Sequence, residues 1–238
     1  KTMVNPLADV VKANEFINAQ YSLKINAHRL VAMYTALISP DEEYLPLLRI
    51  PVALIAETFS GLSRNERRIS DLRDAAAELF NSNIRIQSKG EWIGVHWAPT
   101  CMVIGSDLYI RLNQDLKPWL LGLYRRGNFT RYRLHYLAEL TTPYQFRLYE
   151  LFSSAAYKGN LEQGVDALRA MLNIPEDEYQ RLGHFNSRIL MPSIDAINKH
   201  TDLMVQIMKG TYLGKRQTGW IFRITRKKHE ELPFTIEE

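Results

Sequence analysis

The sequence predicts an α+β protein built from two tandem winged helix-turn-helix domains. Near the C-terminus, residues 179–201 have the periodicity of an amphipathic helix, and a shorter helical pattern at 165–172 precedes them. An alternating apolar segment at 203–208, a glycine-rich basic loop at 209–219 and an apolar segment at 220–224 follow. Helix, turn, helix, strand, loop and strand is the order of a winged helix-turn-helix. A second copy of this order upstream accounts for the length of 238 residues.

The N-terminal domain is expected to span residues 9–124, after a loose arm at residues 1–8. Apolar periodicity predicts helices at 23–38, 51–59, 64–80 and 114–124, the last interrupted at Pro118, and strands at 47–50, 84–87, 92–97, 102–104 and 108–112. Ser63 and Glu66 have the spacing of a capping box at the start of the third helix. Five apolar residues of that helix are expected to be buried: Ile69, Leu72, Ala76, Leu79 and Phe80.

The C-terminal domain is expected to span residues 125–228, followed by an acidic tail at 229–238. Residues 125–128, Arg-Arg-Gly-Asn, are predicted to form a basic hinge between the two domains. Thr142 and Gln145 have the spacing of a second capping box, with a proline at the first helical position, so a helix is expected from there to about residue 157. Pro192 lies inside the predicted 179–201 helix, which therefore either kinks there or begins its regular part later.

The 179–201 helix is predicted to bind DNA because it combines a buried stripe with a face rich in hydrogen-bond donors. The stripe consists of Phe185, Ile189, Ile194 and Ile197, and the other face carries Arg181, His184, Asn186, Ser187 and Arg188. No acidic residue lies between Glu178 and Asp195. The second helix of a helix-turn-helix lies in the major groove. The alternative is a polar face that is only solvated, but the basic hairpin downstream and the second copy upstream favour DNA binding.

Three further groups of cations are candidate DNA-binding residues. Lys209, Lys215 and Arg216 flank glycines in the predicted hairpin, Arg64, Arg67, Arg68 and Arg73 lie on the early turns of the 64–80 helix, and Arg131 and Arg133 follow the hinge. The hairpin cations are expected to contact phosphates, whereas the four helix arginines could instead only solvate their helix. Residues 1–121 contain 13 Lys/Arg and 13 Asp/Glu, and residues 122–238 contain 17 and 13, so the excess of +4 lies in the C-terminal half. This is a mild nucleic-acid signal.

Six short motifs follow one another along the chain in an order and spacing that are typical of one protein family. They are Val11-Lys12-Ala13-Asn14, Tyr21-Ser22-Leu23, Phe129-Thr130-Arg131-Tyr132, Pro143-Tyr144 with Arg147-Leu148-Tyr149-Glu150, Tyr179 with Phe185, and Ile197-Asn198. With them, residues 10–226 resemble the replication initiator (Rep) family of iteron-containing, theta-replicating plasmids. Two positions depart from the family pattern: Lys24 stands where a serine is typical, and Ala196 stands where a glutamate often precedes Ile-Asn.

This resemblance implies two winged-helix domains with different tasks. The C-terminal domain reads the iteron in the major groove, and its base-reading positions fall on Asn186, Ser187 and Arg188, next to Phe185. The N-terminal domain contacts neighbouring DNA in the monomer and forms the interface of the homodimer. Monomers start replication at the direct repeats of the origin with host replication proteins such as a helicase or initiator, whereas dimers repress their own promoter through an inverted repeat. Independently, the predicted strands 84–87 and 92–97 offer sheet edges that a second copy could pair.

The sequence lacks the motifs of several enzyme classes. It contains no Gly-x-x-x-x-Gly-Lys-Ser/Thr loop, no His-hydrophobic-His pair, no His-Glu-x-x-His motif and a single cysteine, Cys101. We therefore predict a protein that is not an enzyme and uses no cofactor or metal, and whose tyrosines and four tryptophans (92, 97, 119 and 220) pack in the core or an interface. No signal peptide or long apolar segment is found, so a cytoplasmic protein without a membrane partner is expected. Two other functions remain open: a winged-helix repressor without a replication role, and an interaction module whose N-terminal domain does not contact DNA.

Overall fold

The computed structural model describes residues 8–39, 41–59, 67–88 and 90–227, and it describes Arg67, Arg68 and Ser88 by their backbone alone. Three expected features lie outside the described residues: the arm up to residue 7, the capping box at 63–66 with Arg64, and the tail at 229–238. One continuous cluster of buried apolar side chains runs through both halves of the chain.

The N-terminal half contains the predicted strands and the first three predicted helices within a few residues of their expected bounds. The helix predicted at 114–124 is broken at Leu121 and Gly122 and not at Pro118, which lies at the start of the helix Lys117–Leu120. The helices of this half are α1 (Asn14–Ile17), α2 (Ile25–Leu37), α3 (Val52–Thr58), α4 (Arg67–Asn81), α5 (Lys117–Leu120) and α6 (Leu123–Arg126). Its strands are β1 (Asp9–Ala13), β2 (Leu48–Pro51), β3 (Asn83–Ser88), β4 (Glu91–His96), β5 (Thr100–Ile104) and β6 (Asp107–Arg111). Strands β2, β6 and β5 form an antiparallel sheet in that order, and β3 and β4 form a separate hairpin.

The C-terminal half is a second unit of helices and an antiparallel sheet. It contains β7 (Phe129–Arg133), α7 (Pro143–Ala155), β8 (Asn160–Gly164), α8 (Val165–Met171), α9 (Leu182–Phe185), α10 (Met191–His200), β9 (Leu203–Leu213) and β10 (Arg216–Arg226). The sheet order is β8-β10-β9. The capping box of Thr142 and Gln145 is present at the start of α7 and confirms that prediction. The sequence pattern does not predict β8, because Leu161 is its only large apolar residue.

Continuous helical backbone runs from Leu182 to His200, with Pro192 inside it. A π-helical turn, Asn186–Leu190, separates α9 from α10, and Pro192 stands in the first turn of α10. A proline lacks the N–H that a regular helix uses for hydrogen bonding, and its ring crowds the preceding turn. In this helix the preceding turn is a π turn, which is wider than an α-helical turn. The predicted start at residue 179 is three residues too early. The predicted buried stripe is confirmed, because all four of its members are buried.

Residues 125–128 do not form the free hinge expected from the sequence. The last two of them, Gly127 and Asn128, adopt positive φ, and Asn14 holds them in place. The Asn14 N–H donates to the Asn128 carbonyl at 3.0 Å, and the Asn14 side-chain amide donates to Asn128 Oδ1 at 2.9 Å. Strand β7 then pairs antiparallel with β1. The expected division at 124/125 therefore passes through α6, and a sheet joins the two sides of it.

A buried ion pair joins β1, β7 and α7. Lys12 Nζ donates to Glu150 Oε1 at 2.6 Å, and the Tyr132 hydroxyl donates to the same oxygen at 2.5 Å. Both members of the pair are at most 1 % exposed. Burial lowers the pKa of the Lys12 ammonium, and the neighbouring carboxylate opposes that shift. Charges at this depth persist only when they are paired and hydrogen-bonded.

Arg147, three residues before Glu150 on α7, extends this network towards the helix-turn-helix. Its guanidinium donates to the Tyr21 hydroxyl at 2.7 Å, to the Ala19 carbonyl at 2.6 Å and to the Met171 carbonyl at 3.2 Å. Met171 is the last residue of α8, whereas Ala19 and Tyr21 belong to the N-terminal half. One buried side chain therefore fastens the two halves of the chain to each other.

Phe80, which was expected in the core, and Trp92, which was expected to be a packing residue, both lie on the surface. Phe80 is 52 % exposed, because it is one position past the fully buried Leu79 and so about 100° further around α4. Trp92 is 67 % exposed on β4, and the Arg85 guanidinium lies 5.1 Å from its ring centroid. The β3-β4 hairpin has only two strands, and the burial of β4 shows that most of its side chains face solvent. The other three tryptophans are buried as predicted.

Glu150→Gln is expected to lower the free energy of unfolding by about 3–5 kcal/mol, because it leaves the Lys12 ammonium buried without its anion. Urea unfolding followed by circular dichroism measures the change. Glu162→Gln removes the same charge from an exposed position on β8 and is expected to change stability by less than about 0.5 kcal/mol. If both variants unfold at the same urea concentration as the parent, the buried pair does not stabilise the fold.

Candidate nucleic-acid interface

The turn between α8 and α9 is held by one arginine side chain. Arg169 donates to the carbonyls of Pro175, Glu178 and Tyr179 at 2.9, 2.7 and 3.0 Å. Tyr179 has a φ of +47°, a conformation that non-glycine residues adopt only when their surroundings impose it. A basic residue in the last turn of a helix is a common partner for free carbonyls, but nothing in the sequence indicates that Arg169 spans the whole turn. Sequence analysis therefore misses the residue that positions α9.

The apolar stripe decides which face of the 182–200 helix is exposed. Phe185 stacks on Trp220 of β10, with ring centroids 5.8 Å apart and planes 29° from parallel. The predicted DNA-binding residues that are exposed at the start of the helix are Arg181, His184, Ser187 and Arg188. Asn186 differs, because it is half-buried and its Oδ1 is buried without a hydrogen-bond partner in the described part of the chain. The structure thus brings all five predicted residues together but exposes only four of them fully.

The predicted basic loop at 209–219 is mostly strand. Strands β9 and β10 extend to Leu213 and Arg216, so the turn consists of Gly214 and Lys215 alone, and Gly214 has a φ of +60°. Gly210 and Gly219, which the sequence suggested were loop residues, lie within strands. At both positions an added Cβ would be too close to neighbouring atoms. We call the hairpin of β9 and β10 the wing. Its three predicted cations, Lys209, Lys215 and Arg216, are exposed, and none of them forms an ion pair with another described residue.

The cationic surface of the N-terminal half is less uniform. Arg67 and Arg68 lie in the first turn of α4, and Arg73 is exposed further along the same helix. Asp71 and Asp74 lie on α4 as well, so the helix is not cationic all round. The positions of these three arginines are compatible with a second DNA contact, and Arg64 lies outside the described residues.

Arg131 and Arg133 both lie beside an acidic residue. Their guanidinium groups are 3.5 and 3.1 Å from the carboxylate of Asp9, across the β1-β7 sheet. The two arginine side chains are still 58 % and 45 % exposed. An exposed pair of this kind contributes at most about 1 kcal/mol. A phosphate would therefore compete with Asp9 for these residues at a modest energetic cost.

The described residues contain no group of three His, Cys, Asp or Glu side chains that could hold a metal ion. Burial raises the pKa of the Cys101 thiol to about 12, so this cysteine is protonated at neutral pH and is a weak nucleophile. No helix of the described chain is long and apolar enough to cross a bilayer. At the start of the 182–200 helix and at the three predicted cations of the hairpin, the exposed polar groups are hydrogen-bond donors and cations.

Two models from one family match the chain in succession. The model described as "Initiator Replication protein, WH1" matches residues 9–153, and the model described as "Initiator Rep protein, WH2" matches residues 164–224. The chain belongs to the replication initiator family. The two tandem winged-helix domains predicted from the sequence are thereby confirmed. The two family ranges are separated at residues 154–163, whereas the sequence places the division at 124/125.

Individual relatives of this initiator family agree with the assignment. A replication initiation protein of Escherichia coli is 22 % identical over 238 residues, which cover 96 % of this chain and 73 % of that protein. Among solved structures, the crystal structure of Pi initiator protein in complex with iteron DNA matches with a TM-score of 0.79 and 18 % identity. The match covers 95 % of this chain and 100 % of the other. At this identity the structural likeness shows a shared fold.

Replacing Lys209, Lys215 and Arg216 together by glutamine is expected to weaken binding to every duplex. The slope of log affinity against log salt should become flatter by about two to three units, because each phosphate contact releases counterions. Fluorescence anisotropy of a labelled duplex at several salt concentrations measures the slope. The control replaces three exposed lysines elsewhere, Lys117, Lys158 and Lys199, and has the same net charge. Equal slopes for the two triple variants would show that the wing does not contact DNA.

Proposed function

We propose that the protein is a plasmid replication initiator that binds the direct repeats of its origin, the iterons, as a monomer. The observation that carries this proposal is the exposed face at the start of the 182–200 helix, which presents hydrogen-bond donors and no acidic residue. That helix lies in the range matched by the second family model, and the shared fold with a protein crystallised on iteron DNA supports the same use of it. In this arrangement the helix enters the major groove and the wing contacts the adjacent backbone.

Arg188 is the best candidate for reading a base pair. Its side chain is exposed, and a guanidinium can donate two hydrogen bonds to the O6 and N7 atoms of guanine. Asn186 pairs in a similar way with adenine, but that contact needs the amide oxygen as an acceptor. Because Asn186 Oδ1 is buried in the free protein, this residue has to change its rotamer on binding. Arg181, His184 and Ser187 complete the contact surface.

The N-terminal domain contributes a second and less specific contact in this proposal. Arg67, Arg68 and Arg73 supply it from α4, together with Arg64, which precedes that helix in the sequence. Arg131 and Arg133 contact the phosphate backbone of the DNA between the two domains. Contacts of this type add affinity without reading the sequence. The N-terminal domain also supplies the dimer interface, and the dimer represses its own promoter by binding an inverted repeat. Host replication proteins such as a helicase or initiator are recruited to the assembled origin.

The edge strand β5 is the better candidate for that dimer interface. Met102 and Ile104 on β5 are 42 % and 58 % exposed, and Phe80 of α4 lies beside this strand. Strand β4, whose edge is predicted from the sequence, exposes Trp92 and 39 % of Ile93. Unpaired edges with apolar side chains favour pairing with another chain. Strand β5, with Phe80 beside it, offers three exposed apolar side chains where β4 offers two, so we place the two-fold axis there.

Arg188→Ala is expected to weaken binding to the repeat by about 1–3 kcal/mol and to relax the preference at one base pair. The repeat is first recovered by the parent protein from a pool of random duplexes, and titrations against it and its single-base variants give the change. Lys199→Ala, an exposed cation later on the same helix, is the control and should keep the preference. Unchanged specificity of Arg188→Ala would contradict the placement of this helix in the groove.

A plasmid-maintenance assay separates an initiator from the alternative, a winged-helix repressor without a replication role. A plasmid whose origin is an array of the recovered repeats is expected to be maintained only in cells that supply the parent protein. Arg188→Ala should lower its copy number in proportion to the loss of affinity. Tight binding to the repeats without any plasmid maintenance would favour the repressor.

Ile104→Lys is expected to convert dimers to monomers, because it places a charge in the apolar interface at β5. The residue is exposed in the monomer, so the substitution should leave the fold intact. Sedimentation with single-repeat and inverted-repeat duplexes measures both assembly and binding, and Ile93→Lys on β4 is the matched control. A dimer that survives Ile104→Lys but not Ile93→Lys would place the interface on β4. A monomer that no longer binds a single repeat would contradict the switch.

A further inference from the structure

The tip of the β9-β10 hairpin carries an apolar side chain among cations. Leu213 is 76 % exposed, and its partner across the two-residue turn is Arg216. Alternation along β9 places Lys209 on the same face as Leu213, and cross-strand pairing adds Arg216 to that face. Lys215 lies in the turn itself. Leu213 therefore lies beside two cations, Lys215 and Arg216, at the tip of the hairpin, and Lys209 lies further along the same face.

The hairpin extends beyond the sheet to which it belongs. Its last pair with β8 is Gly219 with Gly164, so residues 212–217 pair only with each other. Arg216 and Gln217 line a cavity together with α8 and the turn after it, whereas Leu213 does not. Leu213 thus has no neighbouring element to pack against in the described chain. Its position makes it available to a bound molecule.

The projecting segment is nevertheless firmly shaped. The Tyr212 ring lies over Gly210 so closely that a Cβ there would be 2.9 Å from it. Gln217 Nε2 donates to the Gly219 carbonyl at 2.9 Å, and a Cβ on Gly219 would clash with the Gln163 carbonyl. Tyr212 and its cross-strand partner Gln217 lie on the face opposite Leu213. The tip is therefore preorganised, with its apolar residue left outside.

We propose that Leu213 is a wedge that enters the minor groove of the bound repeat and unstacks one base step. Proteins that kink DNA insert apolar side chains in this way, and pyrimidine–purine steps yield most easily. The flanking phosphates are held by Lys215 and Arg216. The wedge rests on the proposed function. It adds to that function a way for the protein to bend the repeat and unstack its bases.

Charge identifies DNA as the occupant of this surface. The whole hairpin, residues 203–226, contains no Asp or Glu and carries five cations. The cations around Leu213 form no ion pair with other described residues, so they are available to phosphates. The hairpin also follows α10 directly, so it stands beside the helix that is proposed to occupy the adjacent major groove.

Permanganate oxidation of unstacked thymines tests the wedge on a duplex carrying the repeat recovered by the parent protein. The parent is expected to make a thymine reactive at the step facing the wing, and Leu213→Ala should abolish that reactivity. Leu213→Ala should weaken binding by less than about tenfold, because the burial of one leucine is offset by the unstacking that it causes. Leu213→Met keeps an apolar tip and should retain the reactivity. Met204→Ala, on the same strand away from the tip, should also retain it.

Reactivity that is the same in the parent and in Leu213→Ala would overturn the wedge while leaving repeat binding intact. The wedge would also be overturned if Leu213→Ala abolished the cooperative assembly of several copies but left thymine reactivity unchanged, because the tip would then contact protein. If the parent recovered no preferred sequence from random duplexes, the proposed function and the wedge would fail together. Leu213→Ala is expected to unfold at the same temperature as the parent. This control would show that a loss of thymine reactivity does not come from a loss of folding.

Discussion

The buried pair of Lys12 and Glu150 is the interaction on which the arrangement of this chain depends. Neither charge can be left alone at that depth, so β1 and α7 have to meet, and Tyr132 brings β7 to the same carboxylate. Arg147 then connects this centre to the end of α8. The motifs by which the chain resembles replication initiators contain these four residues. All four lie in the range of the first family model, and only the Arg147 bond to Met171 reaches the second. This part of the signature therefore records how the first winged domain is packed and joined to α8, not how DNA is read.

The same connection explains how the candidate interface is positioned. Arg147 fixes the end of α8, Arg169 fixes the turn after it, and the stacking of Phe185 on Trp220 sets the rotation of the next helix. Each step is a buried or half-buried contact with defined geometry. The exposed donors of the 182–200 helix thus lie on rigid supports, as the proposed contact with a DNA groove requires.

In the proposed function, the wing and the helix divide the chemistry of DNA binding between them. Arg188 and its neighbours offer directional donors suited to base edges. The wing offers point charges and one apolar tip, which respond to the backbone and to the deformability of the duplex rather than to a particular base. The proposed initiator would use the first kind of contact to find a repeat and the second to unstack it.

The sequence by itself determined the local features: the amphipathic helices, the capping box of α7, the hairpins and the grouping of donors before Pro192. These follow from periodicity and from residues close together along the chain. Only the tertiary structure decided that β1 pairs with β7 and that Gly127-Asn128 is pinned by Asn14, because those partners are more than a hundred residues apart and leave no periodic signal. It likewise decided that Phe80 and Trp92 face solvent and that Arg169 spans its turn. Burial depends on which elements pack against a residue, and so do hydrogen bonds between side chains and distant parts of the chain. No single stretch of sequence specifies these neighbours.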